Sequence, residues 1–199
     1  TILTTVTSPF ALERWSAFFA NFGDFAKGFL YTLGMSAAAL LLSLILGIIF
    51  GAMSSSKNKI LKGIARIYVE IFQNTPLLVQ FVFVYYGLAI MTSGAIMIST
   101  FFTAVLCVGV YHGAYIAEVI RSGIEAVPRG QTEAALSIGL TDVQSFYRIV
   151  MPQAFKIALP NMTTAILNLM KDTALAYTIG LVDVMGAGNL LIGKNLGNY

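Results

Sequence analysis

The chain has 199 residues, of which 57% are apolar and 11% charged, less than half the charged share of a water-soluble domain. With a mean hydropathy of +0.81, that composition excludes a disordered chain, a basic nucleic-acid-binding face and a disulfide scaffold; it is the composition of a membrane protein. The net charge of +3 says little as a total, because in a membrane chain the placement of the basic residues is informative.

Phe10 to Phe25 interleave Trp15, Phe18, Phe19 and Phe22 with Glu13, Arg14 and Asp24. This mix suits a helix lying on the bilayer surface, so residues 1–27 read as an external interfacial segment and 28–199 as the membrane domain. From Gly28 to Ser56 run 29 residues without a charge, too many for a signal peptide. As a helix they would reach ~44 Å, more than the ~30 Å of hydrocarbon to be crossed. Between Glu70 and Glu118 lie 47 uncharged residues, interrupted by Thr92-Ser93-Gly94, which predicts a hairpin of two spans over 68–91 and 95–118. Asn74-Thr75-Pro76 opens the first of these. Pro76 lacks an N–H and crowds the carbonyl four residues back, leaving the Phe72 carbonyl without its usual donor. Asn74, Thr75 and Gln80 are therefore candidate polar contacts along a substrate path, with a plain packing kink as the other reading. Cys107, the single cysteine, falls in an apolar run and reads as a buried, inert thiol.

Glu118 and Arg121 share a helix face and read as a structural pair; a cavity-facing Glu118 would instead favour basic substrates. The lone His112 reads as a packed or hydrogen-bonded, neutral residue, ahead of a metal ligand or proton relay. Gly47 with Gly51, and Gly109 with Gly113, have the spacing that allows close helix approach, within one subunit or between two. A fourth span is predicted over Ile157 to Val182, apolar except for Lys171-Asp172. Charges at membrane depth cost ~2.5 to 3.5 kcal/mol each, so a path-lining or paired role is the default for both. Together they offer a cation and an anion to a zwitterion; the bland reading has Lys171 snorkelling outward and Asp172 capping a helix end.

Eight of the twelve basic residues, Lys57, Lys59, Lys62, Arg66, Arg121, Arg129, Arg148 and Lys156, fall between spans one and two or three and four. That side is cytoplasmic by the positive-inside rule, which places the N-terminus outside. The cytoplasmic loop of about 122–156 carries two helix signatures. Pro128 suits a first helical position, Glu133-Ala134-Ala135-Leu136 are good helix formers, and Gly139 suits the residue just past the helix end. Thr141-Asp142-Val143-Gln144 reads as a capping box opening a second helix, with Pro152 ending or kinking it. Two short helices meeting at a glycine predict a compact knob suited to docking.

Glu133-Ala134-Ala135, then Gly139, Ile149 and Pro152, resemble the coupling loop of ABC importer permeases, with Met151 where a leucine is usual. The stretches Phe72 to Gln80, Ala114 to Glu118, Pro128 to Gln131 and Leu169 to Thr173 narrow the resemblance to the polar amino-acid permease family. Gln73-Asn74 stand where that family often has Arg-Gly, so any role of that arginine does not carry over. The resemblance, running from about Gly28 to about Asp183, implies an all-α, polytopic type I importer permease core in a bacterial inner or cell membrane. It implies work in a pair with a second, identical or homologous permease, an external solute-binding protein and a separate ATPase that binds ATP and magnesium. Pro128, Arg129, Glu133, Ala134, Ala135 and Gly139 would meet that ATPase, and the cargo would be a polar amino acid, a basic one or glutamine foremost. The family usually has five spans where four are legible here, so the given sequence is expected to stop before the last.

Gly188 to Asn195 match the phosphate-loop pattern G-x-x-x-x-G-K, but Asn195 replaces the magnesium-binding hydroxyl and no strand precedes the run. ATP hydrolysis is expected on another polypeptide, with no cofactor and no metal in this chain. An ion-coupled transporter or channel would need no structured cytoplasmic loop, and no inverted repeat is visible in the chain. A membrane scaffold would leave Lys171-Asp172 unexplained.

Overall fold

The structure, a computed structural model, describes Ser16 and residues 19–195, with side chains as far as residue 190. Half of the Phe10 to Phe25 segment, Trp15 and Phe18 included, lies outside the described residues. Helix α1 runs Phe22–Ser54 as one unbroken helix of 33 residues with Asp24 in its first turn, where a carboxylate complements the helix dipole. The boundary drawn at residue 27 therefore falls inside a helix, because nothing between Phe22 and Gly28 breaks the hydrogen-bond ladder. Helix α2 (Lys59–Asn74) begins at Asn58, whose side chain accepts from the Ile60 N–H, and α3 (Leu77–Met91) follows it at 95°. A straight span over 68–91 is thus corrected to two helices meeting at a sharp elbow. Pro76 has no N–H to give, and it holds Thr75 extended at φ −97°, ψ 123°, as residues before proline prefer. Helix α3 contains a π turn at Phe83–Gly87.

The predicted turn at Thr92-Ser93-Gly94 is present, with Ser93 and Gly94 both left-handed at φ 51° and 83°. Helix α4 (Thr100–Glu125) starts at Ser99, which accepts from the Phe102 N–H at 3.3 Å, and passes well beyond residue 118. A short helix α5 (Arg129–Ser137) precedes α6 (Asp142–Ile179), and α7 (Val184–Asn195) turns off α6 at 47°. Among the described residues two helices, α1 and α4, are long and apolar enough to cross a membrane alone, and there are up to four spans when each bent pair counts as one.

The core sits between α1, α3, α4 and the end of α6, where Met35, Ala39, Phe81, Ala104, Cys107, Val108 and Leu169 are all but inaccessible. The two glycine pairs act within this one chain and lock α1 and α4 reciprocally. Methyl groups added at Gly109 and Gly113 would meet Leu42 and Leu46 of α1, and methyls at Gly47 and Gly51 would meet Ile116 and Ile120 of α4. Each helix thus seats its branched side chains where the other has no side chain at all, a packing that small residues permit in the absence of water.

Candidate functional site

Helix α5 ends in a Schellman turn. The Gly139 N–H donates to the Leu136 carbonyl at 3.0 Å and the Leu140 N–H to the Ala135 carbonyl at 3.2 Å, with Gly139 at φ +89°, a conformation costly for any other L-residue. The capping box follows at once: Gln144 N–H donates to Thr141 Oγ1, and Thr141 N–H to Gln144 Oε1. Pro128 is the cap residue itself and Arg129 the first helical residue, one position later than the sequence suggested.

Pro152 neither ends nor interrupts the second helix. A π turn at Phe146–Val150 lies directly before it, and α6 continues as α-helix to Asp172 and as a 3₁₀ helix to Ile179. The wider turn takes up the missing N–H that would otherwise break the ladder. The knob is therefore one short helix and a tight corner set on the end of a long shaft, where the sequence suggested two short helices.

Glu133, Ala134 and Gly139 are exposed, and Ala135 is buried, so Ala135 anchors α5 and is not part of its outer surface. Ile138, Val143 and Tyr147 are exposed by 79%, 64% and 59%, an apolar rim suited to a protein partner. Beside it a groove of about 750 Å³ has Arg129, Lys57 and Asp142 at its edge and Val127, Phe146 and Val150 in its lining. Lys57, from the α1–α2 loop, bonds to Asp142 at 3.2 Å and ties the α1–α2 loop to the start of α6.

At the elbow, Gln80 donates to the Phe72 carbonyl at 3.2 Å and to the Thr75 carbonyl at 3.0 Å. The bond to Phe72 supplies the donor that Pro76 cannot, so the Gln80 amide, read from the sequence as a path contact or as part of a packing kink, is bonded to the backbone of the elbow. Thr75 Oγ1 donates to the Ile71 carbonyl at 2.8 Å, and Asn74 is exposed.

Glu118 pairs with Arg121, which also pairs with Glu125. Glu118 and Arg121 line a cavity of about 380 Å³ with Lys62, Arg66, Glu70 and Gln73, apart from the Lys171-Asp172 cavity.

That second cavity, about 230 Å³, is lined by Tyr111, His112, Tyr115, Ala165, Asn168, Lys171 and Asp172. None of Asn74, Thr75, Gln80 or Glu118 reaches it. Lys171 is exposed and Asp172 half-buried, while the Tyr111 and Tyr115 hydroxyls lie 3.1 Å apart. His112 Nε2 lies 3.0 Å from Asp172 Oδ2. His112, the two tyrosines and Asn168 were missed as site residues. Their one sequence signal is the Tyr111/Tyr115 spacing of one turn on α4, and nothing local connects α4 with a carboxylate 60 positions away.

The span bent at Pro76, the Schellman corner and the charged pair near the end of α6 lie within the stretch that matches a family model. Residues 43–193 match the family described as binding-protein-dependent transport system inner membrane component. The chain belongs to that family. This inner membrane component is 40% identical over 179 residues to the L-cystine transport system permease protein TcyL of Bacillus subtilis, covering 85% of this chain and 74% of that one. It is 36% identical over 177 residues to the glutamate/aspartate import permease protein GltJ of Escherichia coli, covering 83% and 72%. Against the probable glutamine ABC transporter permease protein GlnM of Bacillus subtilis it is 36% identical over 182 residues, covering 91% and 82%. Its fold superimposes on a chain from the crystal structure of an amino acid ABC transporter with histidines at a TM-score of 0.81 and 32% identity, covering 87% of this chain and 80% of that one. A chain of the MetNI methionine ABC transporter, 19% identical, shares the fold at a TM-score of 0.66. The all-α, polytopic architecture is that of ABC importer permeases, as the coupling-loop resemblance implied.

Proposed function

We propose that this chain carries a polar amino acid into the cytoplasm, in a pair with a second permease, fed outside by a solute-binding protein and driven by ATP hydrolysed with magnesium on separate ATPase subunits. The observation that carries the reading is a continuity. One unbroken helix, α6, has the docking knob at its start and Lys171-Asp172 at the end of its α-helical part. A partner pushing on Glu133, Ala134 and Gly139 moves the substrate cavity as part of the same rigid body, which is what rocking between inward- and outward-open states requires. Arg129 and Pro128 stand at the edge of that contact, and the N-terminus lies outside.

In the cavity, the Lys171 ammonium meets the cargo's α-carboxylate and the Asp172 carboxylate meets its α-ammonium. The tyrosine pair and Asn168 are left to the side chain. Glu118 is engaged with Arg121 elsewhere, and among the described residues the cavity lining holds no second acid for a basic side chain, so a neutral polar one such as that of glutamine suits it better.

The test is uptake into proteoliposomes holding the permease, its ATPase and the binding protein. Gly139→Asp and Glu133→Lys should leave the complex assembled while separating ATP hydrolysis from uptake, and undiminished transport by both would refute the coupling assignment. Uptake driven by an ion gradient with the ATPase left out would favour an ion-coupled carrier or channel and overturn the reading.

A further inference from the structure

We propose that His112 is a positioning residue that holds Asp172 for the ammonium group of the bound amino acid; the proposal rests on the substrate reading above. Helix α4 brings His112 to the end of the α-helical part of α6, and its side chain is 4% exposed against 37% for Asp172. A carboxylate only accepts, so the hydrogen of the 3.0 Å bond belongs to Nε2, which donates to Asp172 Oδ2. The other ring nitrogen, Nδ1, is buried with no partner among the described residues, so the ring's one donor in this tautomer is committed to Asp172. The Tyr111 ring packs against the imidazole edge-on at 5.3 Å and the Tyr115 ring lies 6.0 Å from it.

Three consequences follow for the carboxylate. Oδ2 is tied to the protein by a donor that water does not reach, which leaves Oδ1 with no protein donor among the described residues. Asp172 stands where α-helix passes into 3₁₀ helix, a place where a free short acid competes for backbone N–H groups; the bond to His112 keeps it in one orientation, the pre-organisation that recognition needs. The holding group is an imidazole N–H in place of a fixed cation. A lysine or arginine there would compete with the ammonium for the carboxylate, whereas a single ring N–H aims it through Oδ2 alone.

Glutamine and asparagine separate positioning from packing, because a Gln amide reaches the place of the His Nε2 and an Asn amide reaches only that of Nδ1. The full permease, ATPase and binding-protein complex is reconstituted and offered radiolabelled L-glutamine, L-cystine, L-glutamate and L-arginine; the one the unaltered complex carries fastest is then used throughout. His112→Asn should raise the half-saturating concentration about tenfold, the worth of one hydrogen bond to a charged group. His112→Gln should restore it to within about threefold, and adding His112→Asn to Asp172→Asn should cause no further loss. Equal behaviour of the Asn and Gln variants, or additive losses in the double variant, would overturn the role of His112 and leave that of Asp172 standing. If Asp172→Asn alone leaves half-saturation unchanged, the substrate reading fails and the His112 proposal fails with it.

Discussion

Gly47→Ala gives the sharpest test of how the bundle is held together. The added methyl would lie 2.7 Å from Ile116 Cβ, against the ~3.5 to 4.0 Å of ordinary carbon contact. Ile116 is 1% exposed and meets the methyl with the stem of its side chain, so no rotamer change relieves the overlap. The two helices must separate by ~1 Å, a shift shared by the whole glycine seam because neither bends locally. Overpacking of this kind costs about 1–3 kcal/mol, offset by the ~0.5–1 kcal/mol that alanine gains over glycine inside a helix. Gly34→Ala, on the same helix with nothing within 4 Å of the added methyl, should show the gain alone. Titration of the detergent-solubilised protein with a denaturing surfactant, followed by helical circular dichroism, should therefore move the two variants in opposite directions. Equal shifts would mean that the seam is looser than described and that α1 and α4 are held by something else.

Gln80→Leu should destabilise the elbow by about 1–3 kcal/mol, the cost of leaving buried carbonyls without donors, measured as faster amide exchange around Phe72 to Gln80. Thr141→Val removes the oxygen that accepts from Gln144 N–H; a loss of about 1 kcal/mol should appear as exchange confined to the first turn of α6, and a change spread along the shaft would contradict it. Lys57→Ala should change global stability by less than about 1 kcal/mol, since both partners of the Lys57–Asp142 pair are largely exposed. An unfolding midpoint lowered as far as by Gly47→Ala would show that bond to be more than a surface tie.

Local chemistry made much of this legible. The Schellman glycine, the capping box and the turn at Ser93-Gly94 each depend on residues within five positions of one another, and all three stand where the sequence put them. The spans followed from charge-free runs, though their ends did not: α4 runs on to Glu125 because Arg121 and its two glutamates satisfy one another on the helix surface. Of the two prolines, Pro76 breaks the ladder at the Phe72 carbonyl as its missing N–H foretold, with Gln80 supplying the donor, whereas Pro152 does less than break, because a π turn precedes it. The site was half legible. Lys171 and Asp172 announce themselves by their cost in a span, whereas His112 gains meaning only when α4 is laid against α6.

From the capping box at Thr141 to Asp172 the chain climbs about 45 Å at ~1.5 Å per residue with no loop in between. Such a spindle stores little slack. Under the proposed substrate reading, turning the foot of this spindle would swing Asp172 out of register with His112 and loosen the cargo in a single act.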